Sequence, residues 1–359
     1  MTADQIVEAV RDCVRGKEPQ NDISDILRTH KCYALIKQGN TAQEMMERVV
    51  NLAAIKERYR VCEPFFKNVS FPYAVIKGAV LSSVVCQDPY RRVSGDIDIL
   101  INRRDADKAK TLLKNLGFVQ GRITENGIVP FSRKEILYQT SMSHQTAPYI
   151  KETANKFCPY VNVDINMDIL WGECEYRSDM DTVLSYTEKC SLFDMEFYKL
   201  TPEMEFVALC LHHYKDMNSL YLLSQGSLSL GLLCDIYFYL KNACPSVNKI
   251  CEISRKFNVS RYVYVCLSHT MEIFSDTLLI PYIDSLKKDC DEKLLNSFGL
   301  NDIERKIWDI PLKDRLFHPN LRQYMRKFLT DVDLEKIRIN HENMESTRLK
   351  IFTKNVAKS

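Results

Sequence analysis

Two short stretches decide the reading of this chain: Tyr73-Ala74-Val75-Ile76-Lys77-Gly78-Ala79, and, sixteen residues after Ala79, Gly95-Asp96-Ile97-Asp98-Ile99-Leu100-Ile101. The first is a brief apolar run closed by Gly78 and followed by an apolar helical segment (Val80 to Cys86). The second alternates acid and isoleucine. In a strand, side chains at i and i+2 share a face, so Asp96 and Asp98 project together while Ile97, Ile99 and Ile101 turn to the core. Two adjacent carboxylates repel unless a cation or a proton neutralises them. Hard oxygen donors of this kind suit Mg²⁺ or Mn²⁺. A third acid is offered by Asp164 in another alternating run, Tyr160 to Ile165, with Asp168 on the same strand face as the reserve candidate.

The surrounding chain supports an α+β unit. A helix is expected from Asp105, with Ala109, Leu112, Leu113 and Leu116 on one face and Gly117 as its C-cap. Strands are expected at Ile136-Leu137-Tyr138 and over Tyr160–Ile165. Before residue 70 the period is helical: Ile6, Val7, Val10 and Val14 form one stripe, and Met45, Val49, Leu52, Ile55 and Tyr59 another. Beyond Pro202 only helical periodicity survives, over 203–215, 229–241, 246–257 and 260–275. The expected organisation is a helical segment over 1–70 packing on the core, a catalytic unit over 71–200, a helical domain over 201–300, and an extension over 301–359, helical or partly disordered.

The 359 residues carry 49 Lys and Arg against 47 Asp and Glu, and 45% are hydrophobic. That balance excludes a wholly disordered chain and a broadly basic nucleic-acid binder, so no DNA partner is expected. The 13 Cys are scattered with no CxxC pair, which fits neither a zinc site nor a disulfide framework and points to a reducing cytoplasm. The longest uncharged run, Met217 to Cys234, carries six polar side chains that lipid could not satisfy, so it reads as a buried helix pair and not a membrane span.

In sequence order, Lys77-Gly78, Asp88-Pro89, Arg92, Gly95-Asp96-Ile97-Asp98, Lys108-Ala109, Leu112-Leu113 and Leu116-Gly117-Phe118 resemble the uncharacterised nucleotidyltransferase family of the polymerase-beta-like superfamily. The resemblance runs from the N-terminal helices to about residue 275. It implies a small mixed sheet flanked by helices that binds an NTP such as ATP with Mg²⁺ or Mn²⁺. The metals would sit on Asp96, Asp98 and the later strand acid, and the triphosphate on Lys77, Gly78, Arg92 and Gly95. Three departures stand out. Ala79 replaces the serine common after the glycine, the interval from that glycine to the first acid is longer, and Asn166 follows Asp164 where the family commonly has histidine.

The reaction so implied is transfer of an NMP to an acceptor with release of pyrophosphate. The acceptor is open among a small molecule, a peptide, a protein and a tRNA. A competing expectation is a catalytically inactive, nucleotide-binding or antitoxin-like interaction module. His212-His213 reads as one core or capping histidine and one surface histidine, and Asp235 as a helix-packing group that matches a family aspartate. Trp171 reads as core or rim.

Overall fold

The computed structural model describes residues 1–341 apart from Gln38, Asn40, Val93, Ser143, Glu173 and Asp291. Eight strands form one mixed sheet: β1 (Tyr73–Ile76), β2 (Asp96–Ile101), β3 (Val119–Thr124), β4 (Gly127–Pro130), β5 (Tyr149–Glu152), β6 (Tyr160–Asn166), β7 (Thr187–Leu192) and β8 (Met195–Leu200). Their spatial order is β4-β3-β5-β6-β2-β1-β8-β7. The β2/β6 and β1/β8 pairs are parallel and the rest antiparallel. The two strands with the quoted acidic and apolar runs are therefore central, and β2 lies between β1 and β6.

Three helices precede the sheet: α1 (Ala3–Val14), α2 (Ser24–Thr29) and α3 (Ala42–Asn68). Within the sheet region lie α4 (Gly78–Val85), α5 (Ala106–Asn115), α6 (Arg133–Met142) and α7 (Met180–Ser185). After it come α8 (Pro202–Asn218), α9 (Leu220–Ser224), α10 (Leu230–Ala243), α11 (Val247–Lys256), α12 (Ser260–Phe274) and α13 (Ile280–Leu286). A two-stranded ladder, β9 (Ser297–Phe298) with β10 (Lys306–Ile307), and the short α14 (Leu312–Leu316) and α15 (Leu321–Met325) follow. The α+β class and the C-terminal helical region are as expected. The part of the extension beyond residue 341 lies outside the described residues. No helix among the described residues is long and apolar enough to cross a membrane.

Each face of the sheet has its own core. On one face Val75, Ile97, Ile99, Ile101, Val161, Val163 and Ile165 pack with Tyr59, Phe65 and Phe66 of α3 and Ala109 and Leu113 of α5. Burying each large apolar side chain there contributes roughly 1.5–3 kcal/mol. On the other face Ala74, Leu100 and Leu200 join a larger core built from α4, α8, α10 and α12. Of the N-terminal helices, α3 lies against the sheet whereas α1 packs on α12 and α14.

Local chemistry explains the elements that sequence periodicity misplaces. Residues 136–138, expected as a strand, lie in α6. There the Ser132 N–H donates to Glu135 Oε2 at 2.8 Å, while Glu135 N–H donates back to Ser132 Oγ at 3.3 Å, a reciprocal cap that starts a helix. Three apolar residues are too few to fix a period. The Met45–Tyr59 stripe of α3 is buried only from Ala54 onward, and Met45, Met46 and Val49 are exposed. A 27-residue helix is about 40 Å long at 1.5 Å per residue. A six-residue strand spans only about 20 Å, so the N-terminal turns overhang the sheet. The 13 Cys are all free thiols, and seven are buried as small apolar groups.

Candidate active site

The parallel register of β2 with β6 sets Asp98 opposite Asp164 and Asp96 opposite Asn162, with Leu100 opposite Asn166. Because side chains alternate, Asp96, Asp98, Asn162, Asp164 and Asn166 share the face opposite the isoleucine core. Asp98 is buried, at 7% exposure, and Asp96 and Asp164 are half-buried. Asp98 Oδ1 accepts from Asn166 Nδ2 at 3.0 Å and from Lys77 Nζ at 3.2 Å. The Asn166 amide is itself fixed, since Gln145 Nε2 donates to its Oδ1 at 2.7 Å. Asp164 Oδ1 is buried with no hydrogen-bond partner.

The electrostatics follow from this crowding. Burial, then the Asp98 charge, then that of Asp96, push the Asp164 carboxyl up to about 7. Burial and the same Asp98 charge raise Asp96, opposed by the Ser94 hydroxyl and Lys77. Ser94 Oγ donates to Asp96 Oδ1 at 3.2 Å, and its carbonyl accepts from Arg58 of α3. Three hard carboxylates on neighbouring strands, one with an orphaned buried oxygen, fit a divalent cation in donor chemistry. Among the described residues, however, no group of three or more His, Cys, Asp or Glu side chains is arranged to hold a metal ion as it stands. Asp98 is engaged by an ammonium and an amide instead.

Lys77 stands between β1 and α4 with φ 59° and ψ −149°, a conformation that costs a non-glycine residue of order 1–3 kcal/mol. Gly78 follows at φ 47°, and a Cβ there would approach Ser94 Oγ to 3.3 Å. The positive φ favours glycine, and a Cβ would need the Ser94 hydroxyl to give by a few tenths of an ångström. No side chain among the described residues caps the first turn of α4, which begins directly after Lys77, so its first N–H groups are unpaired by a cap. Gly95 differs: it is exposed, and a Cβ there would meet nothing within 4 Å.

The structure thus brings Asp96, Asp98, Asp164 and Lys77 together. Asp168 is held elsewhere: β6 ends at Asn166, and Asp168 accepts the N–H of Leu170 at 3.0 Å and of Ser178 at 3.3 Å, shaping the following loop. Arg92 pairs with Asp235 of α10 and not with the three acids. His213 of α8, 1% exposed, places Nε2 at 3.2 Å from the same Asp235 oxygen. Burial alone would raise Asp235, but Arg92 and His213 outweigh it and hold the carboxyl below its usual value. The packing role expected of Asp235 and of one histidine is therefore observed. Trp171 is core, stacked on Tyr214 with ring centroids 5.7 Å apart.

Sequence reasoning passed over Lys215 and His144, and read His212 without their company. Lys215 of α8 lies within electrostatic reach of Lys77 and Asp98. His212 and His144 feel Lys77 and Lys215 in turn. Burial first, then those lysines, hold both imidazoles neutral, with His144 pushed down to about 3. The signal available was the i, i+3, i+4 spacing of His212, Lys215 and Asp216, which puts three polar groups on one strip of an otherwise apolar helix.

No curated protein and no solved structure matches this sequence. The model of one family, described as uncharacterised nucleotidyltransferase, matches residues 41–275, a span that holds the acid-bearing strands, Lys77-Gly78, Arg92 and the α8 strip. With about two-thirds of its length so matched, the chain belongs to that uncharacterised nucleotidyltransferase family.

Proposed function

We propose that this protein transfers an NMP group from an NTP to an acceptor and releases pyrophosphate, in a reaction that depends on Mg²⁺ or Mn²⁺. The observation that carries the reading is the register that sets Asp98 beside Asp164, with Asp96 on the same face. Asp96, Asp98 and Asp164 would hold the cations, which supply Lewis-acid polarisation of the phosphoryl group and charge neutralisation of the departing pyrophosphate. Lys77 holds a phosphate oxygen beside Asp98, and the uncapped N–H groups that begin with Gly78 receive another. Arg92 spends one N–H on Asp235 and keeps its other guanidinium donors for the triphosphate. The open space at Gly95 leaves room for a ligand against Asp96. Asp164, raised to about 7, is suited to accept the acceptor's proton near neutral pH.

The direct test is calorimetry with Mg²⁺ and a non-hydrolysable NTP. Asp96→Ala combined with Asp98→Ala is expected to abolish metal-dependent nucleotide binding, and unaltered binding would refute the proposal. A second reading, a nucleotide-binding module without turnover, is favoured by the absence of a ready-made metal cage among the described residues and by Asn166 in place of histidine. Incubation with each labelled NTP and Mn²⁺, alone and with cell extract, separates the two. An enzyme labels an acceptor or itself, whereas a silent module binds NTP and leaves every acceptor unlabelled.

A further inference from the structure

The outer strands of the sheet carry the acid-bearing face onward. Cross-strand partners share a face, and one row of partners runs Asp96, Asn162, Ile150, Val119 across β2, β6, β5 and β3. Alternation along β3 then puts Gly121 and Ile123 on that face, and their partners in β4 add Pro130 and Ile128. The charged Arg122 turns the other way and donates to Glu135 at 2.8 Å. What β3 and β4 present beside the acids is therefore an uncharged apolar shelf. Val119 is 38% exposed and Ile123 48%, with Ile128 half-buried and Pro130 exposed, so the shelf is open to solvent.

Its outer boundary is an unprotected edge, since β4 is an end strand of the sheet. The Phe131 N–H donates to the Gln120 carbonyl at 2.9 Å, which fixes the alternation of the β3–β4 ladder. Arg122 and Val129 bond one another, and the N–H and C=O of Ile128 point away from β3. At the opposite end of the sheet β7 carries Glu188 and Lys189, the kind of charge that keeps an edge from pairing. The β4 segment, Gly127-Ile128-Val129-Pro130, has no charge, and Pro130 blunts only its last position.

An apolar shelf bounded by a free main-chain donor and acceptor fits an extended polypeptide, which adds a strand and sets alternate apolar side chains on the shelf. An amphipathic helix or a small apolar molecule would leave the Ile128 groups unpaired. β4 lies four strand spacings from β2, about 19 Å at ~4.8 Å each, a span that about six extended residues cover.

We infer that the β4 edge and the shelf of Val119, Ile123 and Ile128 dock an extended apolar segment of a polypeptide acceptor, whose reacting group reaches the acids along the same sheet face. The acceptor role rests on the nucleotidyl-transfer reading, whereas the docking does not.

The probe is a fluorescein-labelled decapeptide that alternates valine with threonine or lysine, titrated with the full chain and followed by anisotropy. Its twin, with alternate main-chain N–H groups methylated, is expected to bind about 5- to 10-fold more weakly, and Ile128→Pro should weaken the unmodified peptide by a similar factor. Ile123→Lys, which sets a charge on the shelf, is expected to cost about tenfold or more. Both variants should melt close to the parent, as substitutions at solvent-facing positions do. Absence of binding would overturn the inference, as would equal binding of the methylated twin or of a decapeptide of alanine, leucine and lysine at helical spacing. So would a parent that sediments as a dimer and an Ile128→Pro variant that sediments as a monomer, because the occupant of the edge is then a second copy. With labelled NTP, Mn²⁺ and cell extract, the label is expected on protease-sensitive material and to fall with Ile123→Lys, and label confined to protease-resistant material would overturn the polypeptide acceptor. If the peptide docks as expected while calorimetry finds no metal-dependent NTP binding, the docking edge stands and the nucleotidyl-transfer reading fails. The reverse pair of results sinks the edge alone.

Discussion

The two faces of the central sheet are written by alternate residues of the same strands, yet they obey opposite rules. Ile97, Ile99 and Ile101 on β2, with Val161, Val163 and Ile165 on β6, make a dry layer against α3 and α5 in which every side chain adds favourable burial. One residue over, Asp96, Asp98, Asn162 and Asp164 form a face with raised carboxyl pKa values and orphaned oxygens, each of which opposes folding. A chain selected for stability alone would have filled both faces alike. The polar face is tolerated because the apolar one holds the strands in register, and it is retained for something other than the fold.

That contrast is broken most directly by paired substitutions one residue apart. Asp98→Asn is expected to reduce nucleotidyl transfer by about 10²–10³-fold, the range for removing one preorganised electrostatic contact at a reacting centre. Its melting temperature should change little, because relief of the repulsion from Asp96 and Asp164 offsets the loss of the Lys77 pairing. Ile99→Ala, fully buried on the other face, is expected to cost about 2–5 kcal/mol of stability in urea while the folded fraction keeps its activity. If Asp98→Asn unfolds the protein as readily as Ile99→Ala does, the division of labour between the faces is wrong.

A pH series sharpens the same point. The Asp164 carboxyl stands near 7 in the folded chain against an ordinary value of 3.8, so between those values the folded state binds the extra proton. Stability contributed by this group therefore falls as pH rises from about 4 to about 7 and is level outside that window, with a slope of at most about 1.4 kcal/mol per pH unit. The buried, neutral His144 acts in the opposite sense, since the unfolded chain protonates its imidazole first as pH falls. The difference between the parent and Asp164→Asn isolates the carboxyl. Urea midpoints at pH 5 and pH 7.5 should diverge, with the variant gaining relative to the parent at the higher pH, and a constant difference would contradict the raised carboxyl.

How much of this was legible beforehand depends on the range over which each feature is encoded. The Asp-Ile-Asp-Ile alternation and the strand–glycine turn at Lys77-Gly78 are local, and both fell where the periodicity put them. The long C-terminal helices were equally plain, because each repeats its period several times. The β7–β8 hairpin was hidden because its two-residue turn is Phe193-Asp194 with φ values of 58° and 63°, a type I′ geometry normally announced by Asn-Gly. The β3–β4 turn, Glu125-Asn126 between the paired Thr124 and Gly127, did end on an Asn-Gly pair, with the positive φ of 97° on Gly127 alone. The approach of Lys215 to Lys77 and Asp98, of His144 and His212 to the two lysines, and of Arg92 to Asp235 across 143 positions of sequence, comes from packing alone. No local pattern states it.

The smallest expected effect gives the cleanest check on what the polar face does to stability. Asn162 is neutral, sits opposite Asp96, and leaves its Oδ1 buried without a partner. Replacing it with Val removes the unsatisfied acceptor and adds a β-branched residue that suits a central strand. Because no charge changes, the result reads desolvation separately from repulsion. Asn162→Val should therefore be neutral or stabilising by up to about 1 kcal/mol in urea denaturation. A loss of more than that would mean that Asn162 makes the strand pairing stronger, and that the polar face contributes to the fold it was expected only to burden.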